Sequence, residues 1–291
     1  MKRAAIVIVV LGMGAWSFGQ SNDKPAGQNP PAGQAAQPAE QAAAPAGKRP
    51  PKVNSQEEFA AYKTAAALTD GPALEKASDD FAAKYPDSEL RPLLYRSAMQ
   101  RYQLVNNADK MLEMGKKVLA VDPDDPEALV GIAQVLAERT RDTDLDRDPR
   151  LAESRKDAER ALATVDTDIP TSGYPPEQLS SYKAYLRSEA YAVLGKLSSD
   201  AKNWPDAETN LRKSIDAFPQ QVDSIAVLRL AVALDMQNKV PEALKYADQA
   251  VELTKDRPDS GAGKAARDEK DRLTKLNVGP APGQTAMPPK N

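Results

Sequence analysis

Apolar residues recur at three- and four-residue spacing from about residue 54 to residue 276, and the runs break at Pro, Gly and Asp clusters. That pattern predicts helix after helix, with no alternating strand pattern of useful length. Two stretches repeat the same local form. Tyr95 is followed by Ala98, Met99 and Tyr102, and Pro123 lies 21 residues after Tyr102. Tyr191 is followed by Leu194 and Gly195, and Pro219 lies 24 residues after Gly195. In both, a bulky residue precedes small or apolar ones on the same helix face, and an alanine-studded second helix comes before the proline. The spacing predicts stacked helix hairpins.

The last hairpin is the clearest. Val227, Leu230, Ala231 and Leu234 form one face of its first helix, and a turn follows at Gln237-Asn238-Lys239. Pro241 stands near the start of the second helix, where its missing N–H costs little. Ala243, Ala247 and Ala250 line that helix and allow its partner to come close.

These motifs resemble the tetratricopeptide repeat, a 34-residue helix–turn–helix. In its register the last unit runs about 224–257. The unit at 188–221 carries Tyr191, Leu194, Gly195, Trp204, Ala207, Leu211, Ser214 and Pro219, with Ser198 where the family has an aromatic. The unit at 92–125 carries Tyr95, Ala98, Met99, Tyr102, Met111, Val118 and Pro123. Gly115 replaces an aromatic there, so the next helix is expected to pack closer. A degenerate unit at 55–88 has Tyr62, Leu74, Phe81 and Pro86. A further unit at 126–169 has Leu129, Ile132, Ala133 and Leu136, a charged turn expanded over 139–149, then Ala152, Ala158, Ala161 and Leu162. An irregular loop from Asp166 to Pro176 leads to a long helix beginning near Glu177. Residues 262–276 read as a polar capping helix, which keeps a stacked array soluble. The resemblance implies an all-α chain: a right-handed α-solenoid of stacked helix-turn-helix repeats with disordered termini. The alternative is a non-repetitive helical domain.

The ends differ in kind. Met1-Lys2-Arg3 is a positive n-region, Ala4 to Trp16 an apolar h-region, and Ser17-Phe18-Gly19 supplies small residues for cleavage after Gly19. This reads as a secretory signal peptide of bacterial type over 1–19, and predicts a periplasmic or secreted chain. An uncleaved anchor is the alternative, but the apolar run is short of the ~20 residues that span a bilayer. No Cys follows it, so no lipid anchor is expected. Residues 20–52 are rich in Pro, Ala, Gln and Gly and read as a disordered tether; residues 277–291 read as a disordered tail.

Composition narrows the function. Of 291 residues, 41% are hydrophobic and only 5% aromatic, and the apolar share is mostly Ala and Leu, which suits close-packed helices. Net charge is −3, and −5 without Lys2 and Arg3, so there is no basic footprint for nucleic acid. There is no Cys and no His. Disulfides, thiolate metal sites and a Cys nucleophile are therefore excluded. The commonest general base and transition-metal ligand is missing too. No catalytic residue, metal site or cofactor is assigned.

Two acidic patterns need weighing. Asp142, Asp144, Asp146 and Asp148 alternate and Glu153 follows, as in a calcium-binding loop. Arg147 replaces the glycine that such a loop needs, and Arg139, Arg141 and Arg150 compete for the carboxylates. It reads as a solvated, self-neutralising loop. Asp122, Asp124 and Asp125 read as turn and N-cap residues. Tyr95, Tyr102, Tyr182, Tyr185 and Tyr191 could stack on bases or sugars, but helical spacing makes packing the simpler role.

In the repeat family, first helices line a concave groove. Carried over by position, the lining would be Arg96, Gln100, Gln103, Val130, Gln134, Ala192, Lys196, Leu228, Val232 and Asp235. Leu228 and Val232 either meet a partner helix or lie under the cap. The resemblance implies a non-enzymatic scaffold for protein or peptide partners in the cell envelope; self-association into a homo-oligomer stays open. Two other classes remain: a permanent assembly component of an envelope complex, and a hydrolase using paired carboxylates.

Overall fold

A computed structural model describes residues 47–170 and 175–277. The expected signal peptide, the tether up to residue 46 and the tail from residue 278 lie outside the described residues. Within them the chain forms eleven α-helices in order: α1 Gln56–Ala66, α2 Gly71–Lys84, α3 Arg91–Leu104, α4 Ala108–Leu119, α5 Pro126–Arg139, α6 Arg147–Thr164, α7 Pro176–Asp200, α8 Trp204–Ala217, α9 Ser224–Asp235, α10 Val240–Leu253 and α11 Gly261–Asn277. Consecutive pairs form five antiparallel hairpins that stack on one another, and α11 closes the stack against α9 and α10. The fold is an all-α solenoid of tetratricopeptide-like hairpins. No strand is present among the described residues; one isolated bridge joins Lys48 and Pro170.

Local chemistry places the helix starts. Prolines stand in the first turn of α2, α3, α5, α7, α8 and α10, where no N–H partner is lost. Asp70, Asn107, Asp125, Asn203 and Asp223 accept hydrogen bonds from the first backbone N–H groups of their helices. Ser55 and Glu58 form a reciprocal capping box on α1. Each such cap contributes about 1 kcal/mol.

The turn inside a hairpin repeats three times in backbone detail. Asn106, Lys202 and Asn238 have φ of 56°, 57° and 61°, in the left-handed region. In each case that residue's N–H donates three residues back, and the next N–H donates five residues back. Asparagine tolerates this conformation well and lysine less so. Lys202 holds it in the same pair of hydrogen bonds, its N–H donating to Ser199 and the Asn203 N–H to Ser198.

Small residues let the helices touch. Ala243, Ala247 and Ala250 are fully buried along α10. At Gly195, an added Cβ would lie 2.6 Å from Leu211 Cγ on α8. At Gly115, an added Cβ would lie 2.9 Å from Ile132 Cγ1 on α5, so the close approach expected there is present. The buried side chains form a series of local clusters, from the first two hairpins through α5–α7 to α8–α11, as expected when each repeat touches only its neighbours.

Residues 47–52 differ from the tether expected of them. Lys48 Nζ lies 2.5 Å from Asp122, Arg49 pairs with Glu89 at 2.6 Å, and the Lys52 N–H donates to Glu89 at 2.7 Å. Val53 packs on the first core cluster. The composition is that of a spacer, but two of its cations, Lys48 and Arg49, and the Lys52 N–H meet acids in the turns between hairpins.

One buried charge is poorly matched. Asp157 on α6 is 9% exposed. Its carboxyl is pushed up to about 6, chiefly by burial, with Glu153 adding and Lys156, Arg160 and Lys116 opposing. The unfolded value is about 3.9, so ionisation costs stability above roughly pH 6 and the cost vanishes as pH falls toward 4.

Two predictions follow from the packing. Gly195→Ala should lower the unfolding free energy by about 1–3 kcal/mol, because Leu211 must shift; a chemical denaturation midpoint unchanged from the parent would contradict the contact. Asp157→Asn should add about 1–2 kcal/mol at pH 8 and nothing near pH 4. A gain of equal size at both pH values would show that burial of the charge is not its origin.

Candidate partner-binding surface

The first helices α3, α5, α7 and α9 lie side by side along the stack, with α5 at the centre. Every residue of α5 from Ala128 to Ala137 is buried. Its N-cap, Asp125, accepts from the Ala128 N–H at 2.9 Å and is itself only 2% exposed. That buried carboxylate is matched by Arg96 of α3, 3.2 Å away.

A polar seam then joins three hairpins. Glu127 in the first turn of α5 lies 3.8 Å from Arg96 and accepts from Gln100 Nε2 at 2.6 Å. The Tyr182 hydroxyl of α7 donates to the same carboxylate. Burial pushes the Glu127 carboxyl up, against the pull of Arg96. The Tyr182 hydroxyl rises well above its usual range, first from burial and then from the Glu127 charge. The phenol therefore stays protonated and donates. Two turns along α5, Gln134 donates to Glu189 of α7.

Beyond the seam, α5, α7 and α9 enclose a shallow hollow. Gln134, Ala137 and Glu138 come from α5, Glu189, Ala192 and Lys196 from α7, and Arg229 from α9. Its wall is an aliphatic strip between charges of both signs. Lys196 is paired with Asp200 at 2.5 Å.

The ten positions expected to line the groove thus divide. Gln134, Ala192 and Lys196 meet in the hollow. Arg96 and Gln100 are joined at Glu127, while Gln103 is exposed at the far end of α3. Val130 does not line a groove: it is 4% exposed and packs with Ala161 and Ala190, because α7 comes close to both α5 and α6. Leu228 packs with the cluster that holds Ala266 of α11, so the cap reaches it. Val232 is half-buried. Asp235 is held by Arg272 of α11 at 2.5 Å, so the cap also claims that position.

Several residues of this face were not among the ten. Glu127 and Glu189 both occupy the second position of their repeat frames, a recurrence that could have marked them. Tyr182 had no such signal. It lies in the first half of α7, which begins 12 residues before the 34-residue frame at 188.

The charged turn after α5 is internally paired. Arg147 lies 3.2 Å from Asp142 and 2.9 Å from Asp148, Arg150 lies 3.8 Å from Asp146, and Asp144 accepts from the Arg141 N–H at 2.8 Å. Among the described residues no group of acidic side chains is arranged to hold a metal ion. The tyrosines take up packing and hydrogen-bonding roles: Tyr95 donates to Asp79 at 2.9 Å, Tyr102 donates to Glu75, and Tyr185 meets Phe218 edge-on.

Compared with known proteins, the chain matches no family model and no curated protein. Among solved structures it is similar to PilW, described as a widely conserved type IV pilus biogenesis factor. That match has 18% identity and a TM-score of 0.38, over 73% of this chain and 99% of PilW. It is also similar to residues 1–338 of Acl4, an assembly chaperone of RpL4. There the identity is 15% and the TM-score 0.38, over 78% of this chain and all of that one.

The seam is testable by a double-mutant cycle. Glu127→Gln and Tyr182→Phe should each destabilise, with a coupling energy of about 1 kcal/mol or more in urea unfolding. Additive effects would mean that the two side chains do not support each other.

Proposed function

We propose that this chain is an exported, non-enzymatic scaffold that holds protein or peptide partners on the inner face of its helical stack. The observation that carries this reading is the convergence of Gln134, Ala192 and Lys196 from successive first helices on one hollow, with Arg229 of a third beside them. Such a surface offers aliphatic side chains, the Gln134 amide and charges of both signs at fixed spacing. That chemistry recognises a polypeptide by side chain and backbone together. Rigid stacking lowers the ordering cost of binding, since the recognition groups are already placed. Export rests on the n-region, h-region and small-residue site at the start of the sequence. Among the described residues no helix is long and apolar enough to cross a membrane.

The paired-carboxylate reading finds its nearest arrangement at Asp125 and Glu127. Both sit on Arg96, and both are engaged, one as a helix cap and the other with Gln100 and Tyr182. Their geometry supports a structural role.

Site-specific photo-crosslinking separates the readings. A crosslinker at Lys196, on the inner face, should yield a discrete protein adduct in native envelope. One at the exposed Lys245 on the outer helix α10 should not. The pair Lys196→Glu and Arg229→Glu should weaken capture of that adduct's protein at least tenfold. Adducts from position 245 alone would transfer the binding role to the outer face and favour a permanent assembly contact.

A further inference from the structure

The turns between hairpins share one end of the stack, opposite the turns within hairpins. Three of them, at 85–90, 120–125 and 165–170, carry Glu89, Asp122 and Asp168. The extended segment Lys48-Arg49-Pro50-Pro51-Lys52 lies across all three. Lys48 holds both oxygens of Asp122, at 2.5 and 2.6 Å, and reaches Asp168 at 3.8 Å. Arg49 holds both oxygens of Glu89, at 2.7 and 2.6 Å. The Lys52 N–H, the first after two prolines that have none, donates to Glu89 at 2.7 Å. Lys48 also bridges to the backbone at Pro170.

Reach and stiffness fit this placement. Stacked helices lie about 8–10 Å apart, and five extended residues span roughly 16 Å. Pro50 and Pro51 favour the extended form, so little freedom is lost on docking. Of the other acids of these turns, Asp124 pairs with Arg160 at 2.7 Å, Asp125 with Arg96 at 3.2 Å and Asp166 with Arg187, while Asp87 is exposed. Glu89 and Asp122 are met by the strap. Its contacts are also partly open to water, since the Arg49 and Glu89 side chains are 67% and 40% exposed. Ion pairs of that kind are weak and screened by salt, so the segment can leave.

We propose that this turn edge is a second recognition surface, separate from the inner face, whose ligand is an extended basic segment containing proline, and that residues 48–52 occupy it in cis as a displaceable strap. While strapped, the N-terminal part of the chain departs beside the third hairpin and not at the first helix. A basic extended segment of a partner competes for the same acids and, by displacing the strap, moves that departure point.

The test uses the full chain. Trypsin cleaves after Lys48 and Lys52. At low salt, cleavage after Lys48 should be slow, and it should rise at least fivefold in Glu89→Gln/Asp122→Asn and in 0.5 M NaCl, with the helical circular dichroism unchanged. A synthetic, labelled peptide of residues 47–53 should then bind Lys48→Ala/Arg49→Ala with salt-dependent affinity. It should bind the unmodified chain at least tenfold more weakly, and not bind the variant carrying all four substitutions. Equal cleavage rates in the parent and the acid-side variant would overturn the strap. Faster cleavage with no peptide binding, or binding that survives Glu89→Gln/Asp122→Asn, would overturn the recognition surface. Light scattering that shows a dimer lost on Lys48→Ala/Arg49→Ala would overturn occupancy in cis and assign the strap to a second copy.

Discussion

The close approach of paired helices is the constraint on which this array depends. Gly195 lies against Leu211, and Gly115 against Ile132, at distances that leave no space for a Cβ. The alanine line on α10 does the same for the last hairpin. Each of these contacts fixes the distance between two helices, and through it the pitch at which the next hairpin stacks. Because every hairpin touches only its neighbours, an error at one such contact would carry into the position of all that follow. The inner face, the seam and the turn edge all inherit their geometry from these few small residues.

Given that geometry, charge is distributed by address. On the inner face, Arg96, Asp125, Glu127 and Tyr182 answer one another across three hairpins, which ties the irregular middle of the stack together. At the C-terminal end, Arg272 of the cap takes Asp235. At the turn edge, the answering cations come from a segment outside the helices. Buried pairs of the first kind specify which helices meet, since a lost partner leaves an uncompensated charge. Exposed pairs of the last kind set an equilibrium that salt and competitors can move. The same residue types therefore serve as fixed joints in one place and as a releasable contact in another, and solvent access decides which.

The hollow between α5, α7 and α9 is shallow and mixed in character, and in the role proposed for it the spacing of several modest contacts, not one deep pocket, discriminates among partners. Rigid stacking maintains the spacing. The groups of the seam are engaged within the fold, and so are those at the hollow's rim, where Glu189 accepts from Gln134 and Lys196 pairs with Asp200.

The periodicity of apolar residues, the prolines at helix starts and the small residues at contacts were legible in the chain itself, because each is a local requirement of helix geometry. That is why the helix hairpins, the close packing at Gly115 and the capping helix could be anticipated. The fate of individual polar positions could not. Gln134, Val130 and Asp235 occupy equivalent-looking groove positions, yet one lines the hollow, one is buried under α7 and one is bound by the cap. Tyr182 reached the seam only because α7 extends beyond its repeat frame, and Lys48 reached Asp122 across 74 residues of chain. Helix formation depends on neighbours within a turn or two, whereas solvent access and ion pairing depend on which distant elements arrive alongside. The sequence alone therefore determined the hairpin scaffold, and the tertiary stacking decided which of its polar groups are buried, which are paired and which line the hollow.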